Sequence, residues 1–125
     1  MTGDALEFAL AEFIERLNHD DVARRMLADW RRRILVEAVD TGGRFVLVST
    51  GTGAGDLEIP RDPGDAVDMR IFGGSSVLVD IFMGRRDPID EYMAGRLRFQ
   101  GMQADEIRLD AVVACLWDDA GAEVG

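Results

Sequence analysis

The chain has 125 residues, 47% hydrophobic and 30% charged, a balance that supports one domain with a real core and excludes a disordered segment. Its net charge is −10, and every lysine-or-arginine position, 14 in all, is an arginine. Schiff-base and P-loop lysine chemistry is therefore ruled out, no nucleic acid partner is expected, and contact with anionic membranes would be transient at most.

At the N-terminal end, Leu6, Ala9, Leu10, Phe13 and Leu17 share one face of a helix, while Glu7, Glu12, Glu15 and Arg16 lie mostly elsewhere. Such a helix covers a sheet. Asn18 to Asp20 break it, and Asp20 can cap a second helix carrying Val22, Met26, Leu27 and Trp30. His19, the only histidine, falls in this polar connection and reads as a solvated turn residue, because no nucleophile is evident near it in sequence. The run Arg31 to Arg33 suits the C-terminal end of that second helix, where the dipole favours positive charge; the functional alternative is a dock for a lipid headgroup or an acidic partner.

Ile34 to Val39 and Arg44 to Ser49 read as strands of a hairpin whose turn is Asp40 to Gly43. Gly51, Gly53 and Gly55 then follow a strand as in a dinucleotide loop. The context does not fit, because Asp56 to Ile59 reads as a further short strand ended by Pro60, whereas such a loop must open a helix. After a Pro and Gly loop at positions 61–65, Ala66 to Ile71 reads as a strand with Val67, Met69 and Ile71 on one side. For Ser75 to Met83 the β-branched Val77, Val79 and Ile81 would suit a strand. A cap at Ser75 or Ser76, the shared face of Leu78, Ile81 and Phe82, and the stop at Gly84 favour a helix.

Asp87 and Pro88 are an N-cap and a first helical residue for a short helix with Ile89, Tyr92 and Met93 on one face and Gly95 as its C-terminal stop. Asp90 and Glu91 place negative charge in its first turn, which explains these carboxylates without catalysis. Arg96 to Gln100 alternates as a half-buried strand, Leu97 and Phe99 pointing one way. Beyond Gly101 the period is helical again: Leu109, Val112, Val113, Leu116 and Trp117 form the stripe, and Ile107, Ala111, Ala114 and Cys115 fill much of the remaining circumference. A helix this apolar is expected to be contacted on two sides, and Asp118 and Asp119 to begin a solvated tail.

The order of Gly84, a proline-led short helix at Pro88, Tyr92 and Gly95, a strand, Gly101 and an apolar final helix resembles the sterol carrier protein 2 domain family. Its lipid-transfer domains carry a similar G-x-x-x-P, G-x-L-x-x-x-G tail before a helix that lids an apolar tunnel. Two positions depart from the pattern: Phe45 stands where the family often has a tryptophan, and Met102 where an aspartate often follows the glycine and caps the helix. The resemblance implies a single domain over residues 1–125 of α+β class. In it a mostly antiparallel sheet of about five strands has helices on one face and an apolar cavity between them. It implies non-enzymatic binding, transfer or presentation of a sterol-like, fatty acyl or isoprenoid lipid, with Gly101 as a hinge for the final helix.

Chemistry-bearing motifs are scarce. No nucleophile elbow, Ser-His-Asp order, metal-ligand spacing or cofactor signature occurs, so no cofactor is expected. Cys115, the only cysteine, reads as a buried hydrophobe; it can make no intrachain disulfide, which fits a reducing compartment. The opening MTGDALEFAL lacks a basic region and carries Asp4 and Glu7, unlike a signal peptide, and a cytoplasmic protein is expected.

What remains to explain is apolar surface. Met83, Met93 and Met102 join Phe72, Phe82, Phe99 and Trp117 in the second half of the chain, and thioethers with aromatics suit a wall that repacks around varied ligands. With Leu78, Leu109, Val112, Val113 and Leu116 they are the candidate ligand-binding residues. Two alternatives stay open: an interaction module, burying the final helix in a homodimer or against a biosynthetic enzyme, and a small cofactor-free enzyme using a carboxylate in the cavity.

Overall fold

A computed structural model describes residues 4–60 and 66–124, with residue 4 and residues 118–124 described by their backbone alone. Helix α1 (Asp4–Asn18) and the short α2 (Asp21–Leu27) precede the hairpin strands β1 (Ala28–Ala38), β2 (Arg44–Thr52) and β3 (Gly55–Glu58). There follow β4 (Met69–Gly73), α3 (Ser75–Phe82), α4 (Pro88–Met93), β5 (Leu97–Gln100) and the long α5 (Gln103–Val124). The class is α+β, as expected. The sheet order is β3-β2-β1-β4-β5, and its neighbours are antiparallel except β1 and β4, which run parallel.

Register explains why one face of the sheet is the core. Leu57, Leu47, Ile34 and Met69 stand side by side across four strands, and Phe45, Val36, Ile71 and Phe99 make the neighbouring row. Because side chains alternate along a strand, both rows face the same way, and α1, α3 and α5 cover them. Phe13 of α1 meets Phe82 of α3 edge to face at 5.1 Å between ring centroids. The third row is small, Ala38 beside Gly73, and an added Cβ at Gly73 would lie 3.3 Å from the Arg96 carbonyl oxygen, so glycine lets the backbone leading into β5 approach closely.

Several local expectations change in the folded chain. Trp30 is not helical: α2 ends at Leu27 and Trp30 lies in β1, beside a bulge where Asp29 adopts φ +66°. The bulge turns the indole into the core, and Ser49 Oγ donates to the Trp30 carbonyl at 2.6 Å. The arginine run is consequently on a strand, and alternation disperses it. Arg31 is exposed, Arg32 Nε donates to Asp105 Oδ2 at 3.0 Å, and Arg33 Nη1 pairs with Glu58 at 2.8 Å.

Other boundaries also move. β4 begins at Met69 instead of Ala66. The helical reading of Ser75 to Met83 holds, but its N-cap is Gly74, and Asp40 supplies the capping carboxylate from the hairpin turn by accepting from Ser75 N and Ser75 Oγ, both at 2.9 Å. Those bonds hold the Asp40 carboxyl below its ordinary value. Gly84 and Gly95 both close helices with φ near +80°, the following N–H groups of Arg85 and Arg96 reaching back to Asp80 O and Glu91 O. α5 continues as helix through Val124, so Asp118 and Asp119 are helical. Nor is it enclosed on two sides: Leu109, Val112, Val113 and Leu116 are buried, while Ile107, Ala111 and Ala114 face outward. Ile89, Tyr92 and Met93 of α4 are likewise exposed.

Candidate apolar binding site beneath the C-terminal helix

Four elements converge beneath α5. Met69 and Ile71 of β4, Leu97 and Phe99 of β5, Leu78, Ile81 and Phe82 of α3 and Leu109 and Val113 of α5 surround a cavity of about 30 Å³, with Pro88 at one end. That volume accommodates about one or two waters. On the other flank of α5 a second void of about 20 Å³ is lined by Phe13, Leu17, Trp30, Leu47 and Val112 among others. Leu109 borders both, so one side chain partitions the space between helices and sheet.

α5 is fastened over this seam at two places. Near its start Asp105, 4% exposed, accepts from Trp30 Nε1 at 3.1 Å and from Arg32 Nε at 3.0 Å. Met102 brings no side-chain cap to the helix, and this buried pair holds the first turn instead. Farther along, Trp117 Nε1 donates to Phe82 O at 3.1 Å, its ring lies against Gly84, and the Arg16 guanidinium sits 4.1 Å from the ring centroid. The expected hinge, Gly101, has φ +146° and is pressed on β4: an added Cβ would come within 2.8 Å of Met69 Cβ. Its glycine is required by close approach as well as by backbone conformation.

Beside the cavity an open groove of about 410 Å³ runs between the α3–α4 loop and α5. Pro88, Asp110 and Val113 line both spaces, so the groove leads to the cavity wall. Arg85 and Arg86 stand on its loop side, but each is committed to Asp80, Arg86 Nε at 2.8 Å and Arg85 Nη1 at 3.4 Å, and Arg86 Nη1 also lies 3.5 Å from Glu91. Arg86 above all holds the Asp80 carboxyl low, and Arg96, bonding through Nε at 2.6 Å, does the same for Glu91.

The cavity lining contains two polar residues, Glu106 and Asp110, one helical turn apart on α5. Among the described residues no hydrogen bond or ion pair reaches either carboxylate. Burial, then the charges of Glu106 and Asp87, push the Asp110 carboxyl up to about 6.

Of the candidate ligand-binding residues, Leu78, Phe82, Phe99, Leu109 and Val113 line this cavity together. Val112 faces the second void, Trp117 the open groove, and Leu116 is buried in the core around them. Met83 is half-buried at the end of α3. Met93 and Met102, 78% and 65% exposed, lie on the surface. Phe72 points to the opposite face of the sheet, since its neighbour Ile71 faces the cavity and a strand alternates. Sequence reading had not singled out Glu106 or Asp110, although Glu106, Leu109, Asp110 and Val113 fall at i, i+3, i+4 and i+7 and must share one face. Groups of histidine, cysteine and carboxylates able to hold a metal do not occur among the described residues, and no helix there is long and apolar enough to cross a membrane.

This arrangement, helices on one face of a five-stranded mixed sheet with a final helix closing an apolar seam, is the SCP2-like architecture that the glycine spacing suggested. The chain is similar to the UbiJ-SCP2 ubiquinone synthesis protein, with a TM-score of 0.64 and 16% identity over 85% of this chain and 90% of that one. It is similar to the sterol carrier protein domain 2 of Helicoverpa armigera, with a TM-score of 0.63 and 16% identity over 88% and 85% of the two chains. A third likeness is to palmitated SCP2L2 from Aedes aegypti, with a TM-score of 0.62 and 11% identity over 86% and 92%. The chain thus has the sterol carrier protein 2-like fold. No family model matches its sequence, and neither does any curated protein.

Proposed function

We propose that the protein is a non-enzymatic carrier that binds an apolar lipid in the seam between α3, α5 and strands β4 and β5, and transfers or presents it in the cytoplasm. The observation that carries this reading is the apolar cavity bordered by those elements and reached through an open groove. At about 30 Å³ the cavity is a closed state, and a lipid enters by parting the α3–α4 loop from α5 and turning Leu109 aside to join the second void. The palmitate borne by one similar structure supports a long apolar tail, apart from its end group, as the occupant of such a seam. Leu78, Phe82, Phe99, Leu109 and Val113 would form the wall, with Val112 and Trp117 recruited as the space opens.

A second reading is an interaction module serving a biosynthetic enzyme or a second copy of this chain. It is favoured by outward-facing Ile107, 60% exposed, which with Met26, Ala104 and Ala111 borders an apolar surface groove, and by the likeness to a ubiquinone synthesis protein. Cofactor-free catalysis rests on Asp110, whose carboxyl burial pushes up; with Glu106 as its only polar companion in the described cavity lining, recognition is the simpler role. Mass spectrometry of an organic extract from freshly purified protein tests the carrier reading. A stoichiometric apolar molecule is expected; an extract without one, together with no uptake of added neutral or acidic lipid probes, leaves the interaction module.

A further inference from the structure

The polarity of the cavity mouth restricts what kind of lipid could enter it. The apolar lining is interrupted only by Glu106 and Asp110, and Asp110 stands at the boundary where cavity and groove share a wall. From the facing loop Asp87 adds a third carboxylate to the groove. The cations on that loop do not offset them: Arg85 and Arg86 are paired with Asp80 and, for Arg86, Glu91. Among the described residues the carboxylates of Glu106 and Asp110 have no hydrogen-bond donor of their own. A half-buried acceptor in this position gains most from a donor brought by the ligand.

We propose that this site selects lipids ending in an uncharged hydroxyl, such as long-chain, isoprenoid or polycyclic alcohols, and rejects those ending in a carboxylate, with Asp110 as the specificity-determining residue. This rests on the carrier reading above. The alcohol donates its hydroxyl proton to the Asp110 carboxylate, while the tail occupies the apolar seam. A carboxylate end would stand among three fixed negative charges, where low dielectric strengthens repulsion, and among the described residues no free cation of the groove would meet it. Burial and those same neighbours raise the Asp110 carboxyl, reporting the negative field independently of the ligand. In acid Asp110 takes up a proton and both repulsion and discrimination weaken together.

The full chain is titrated with pyrene-labelled dodecanol and pyrene-labelled dodecanoic acid below their aggregation limits at about pH 8. The tail is common to both, so only the end group differs. The alcohol is expected to bind about tenfold or more tightly than the acid. In Asp110→Asn the alcohol is expected to lose affinity and the acid to gain it, and in Glu106→Gln the acid to gain affinity, so that the ratio narrows in both. Circular dichroism melting establishes that each variant is folded, and the wild-type ratio needs no variant at all. Equal binding of both probes, or an unchanged ratio in both folded variants, overturns the selectivity and leaves the carrier reading standing. Binding of neither probe removes the carrier reading and the selectivity with it.

Discussion

Trp30 Nε1 donates a 3.1 Å hydrogen bond to Asp105 Oδ1, joining the bulged start of β1 to the first turn of α5 across 75 positions of sequence. The other oxygen of Asp105 takes Arg32 Nε at 3.0 Å, so one buried carboxylate receives two donors. Replacing Asp105 by Ala strands an indole N–H and a guanidinium, and urea unfolding should show a loss of about 3 kcal/mol. Asp105→Asn keeps an acceptor for Trp30 but turns a donor toward Arg32 or forfeits its charge, so its loss is expected to be smaller. If both variants unfold at the wild-type midpoint, this pair does not hold α5.

Gly84 and Gly95 form a matched pair with different surroundings. Both have positive φ, +78° and +81°, but an added Cβ at Gly84 would lie 2.3 Å from Trp117 Cγ, while at Gly95 it meets nothing within 4 Å. Gly95→Ala therefore carries only the backbone term, about 1 kcal/mol. Gly84→Ala must also push Trp117 off the Phe82 carbonyl and away from Arg16, and should lose about 3 kcal/mol or more in the same denaturation assay.

Asp110 makes a pH prediction with a definite sign. Its folded pKa, about 6, lies above the 3.8 of an ordinary aspartate, so the native state holds the proton more tightly than the unfolded chain. That contribution is fully present below about pH 4 and is lost as pH rises through about 6. A shift of this size would be worth roughly 3 kcal/mol in a fully buried group, and solvent at a half-exposed site cuts it to about 1 kcal/mol. Asp110→Asn should thus be more stable than wild type by about 1 kcal/mol at pH 8 and no more stable at pH 4, read from melting curves across pH. Asp80 and Glu91 act in the opposite sense: their carboxyls are held low by arginines, so their support is present above the ordinary range and fades as acid protonates them.

Leu109 separates the two voids, and removing its side chain joins them. Leu109→Ala is expected to lose about 3 kcal/mol, since a buried leucine leaves both a transfer loss and a cavity. On the carrier reading the variant takes up pyrene-labelled dodecanol faster than wild type, by stopped-flow fluorescence. Unchanged uptake kinetics would argue that Leu109 does not gate the seam.

How much of this was legible in the sequence depended on the range of the forces involved. The Asp87–Pro88 helix start, the stops at Gly84 and Gly95 and the alternation of Leu97 and Phe99 rest on neighbours within a few positions, and all are as read. The same local logic misplaced Trp30, because an apolar residue three positions after Leu27 extends a helical stripe until a bulge in β1 competes for it. Methionine and aromatic content put Met93 and Met102 on the candidate wall, yet composition says nothing about which way a short helix or a loop faces.

By itself the sequence determined the order of the elements, the helix starts at Asp20 and Asp87, the stops at Gly84 and Gly95, the apolar face of α5 and, through the spacing of its glycines, the likeness to the sterol carrier protein 2 fold. Those are matters of backbone geometry and side-chain period, decided among residues close in the chain. Only the tertiary structure decided that β1 and β4 run parallel, that Phe72 turns away from the seam, that Asp105 fastens α5, and that the cavity is nearly closed with Asp110 at its mouth. Each depends on which distant surfaces meet, and for Asp110 on the burial and like charge that this meeting imposes on a carboxylate unremarkable in the sequence.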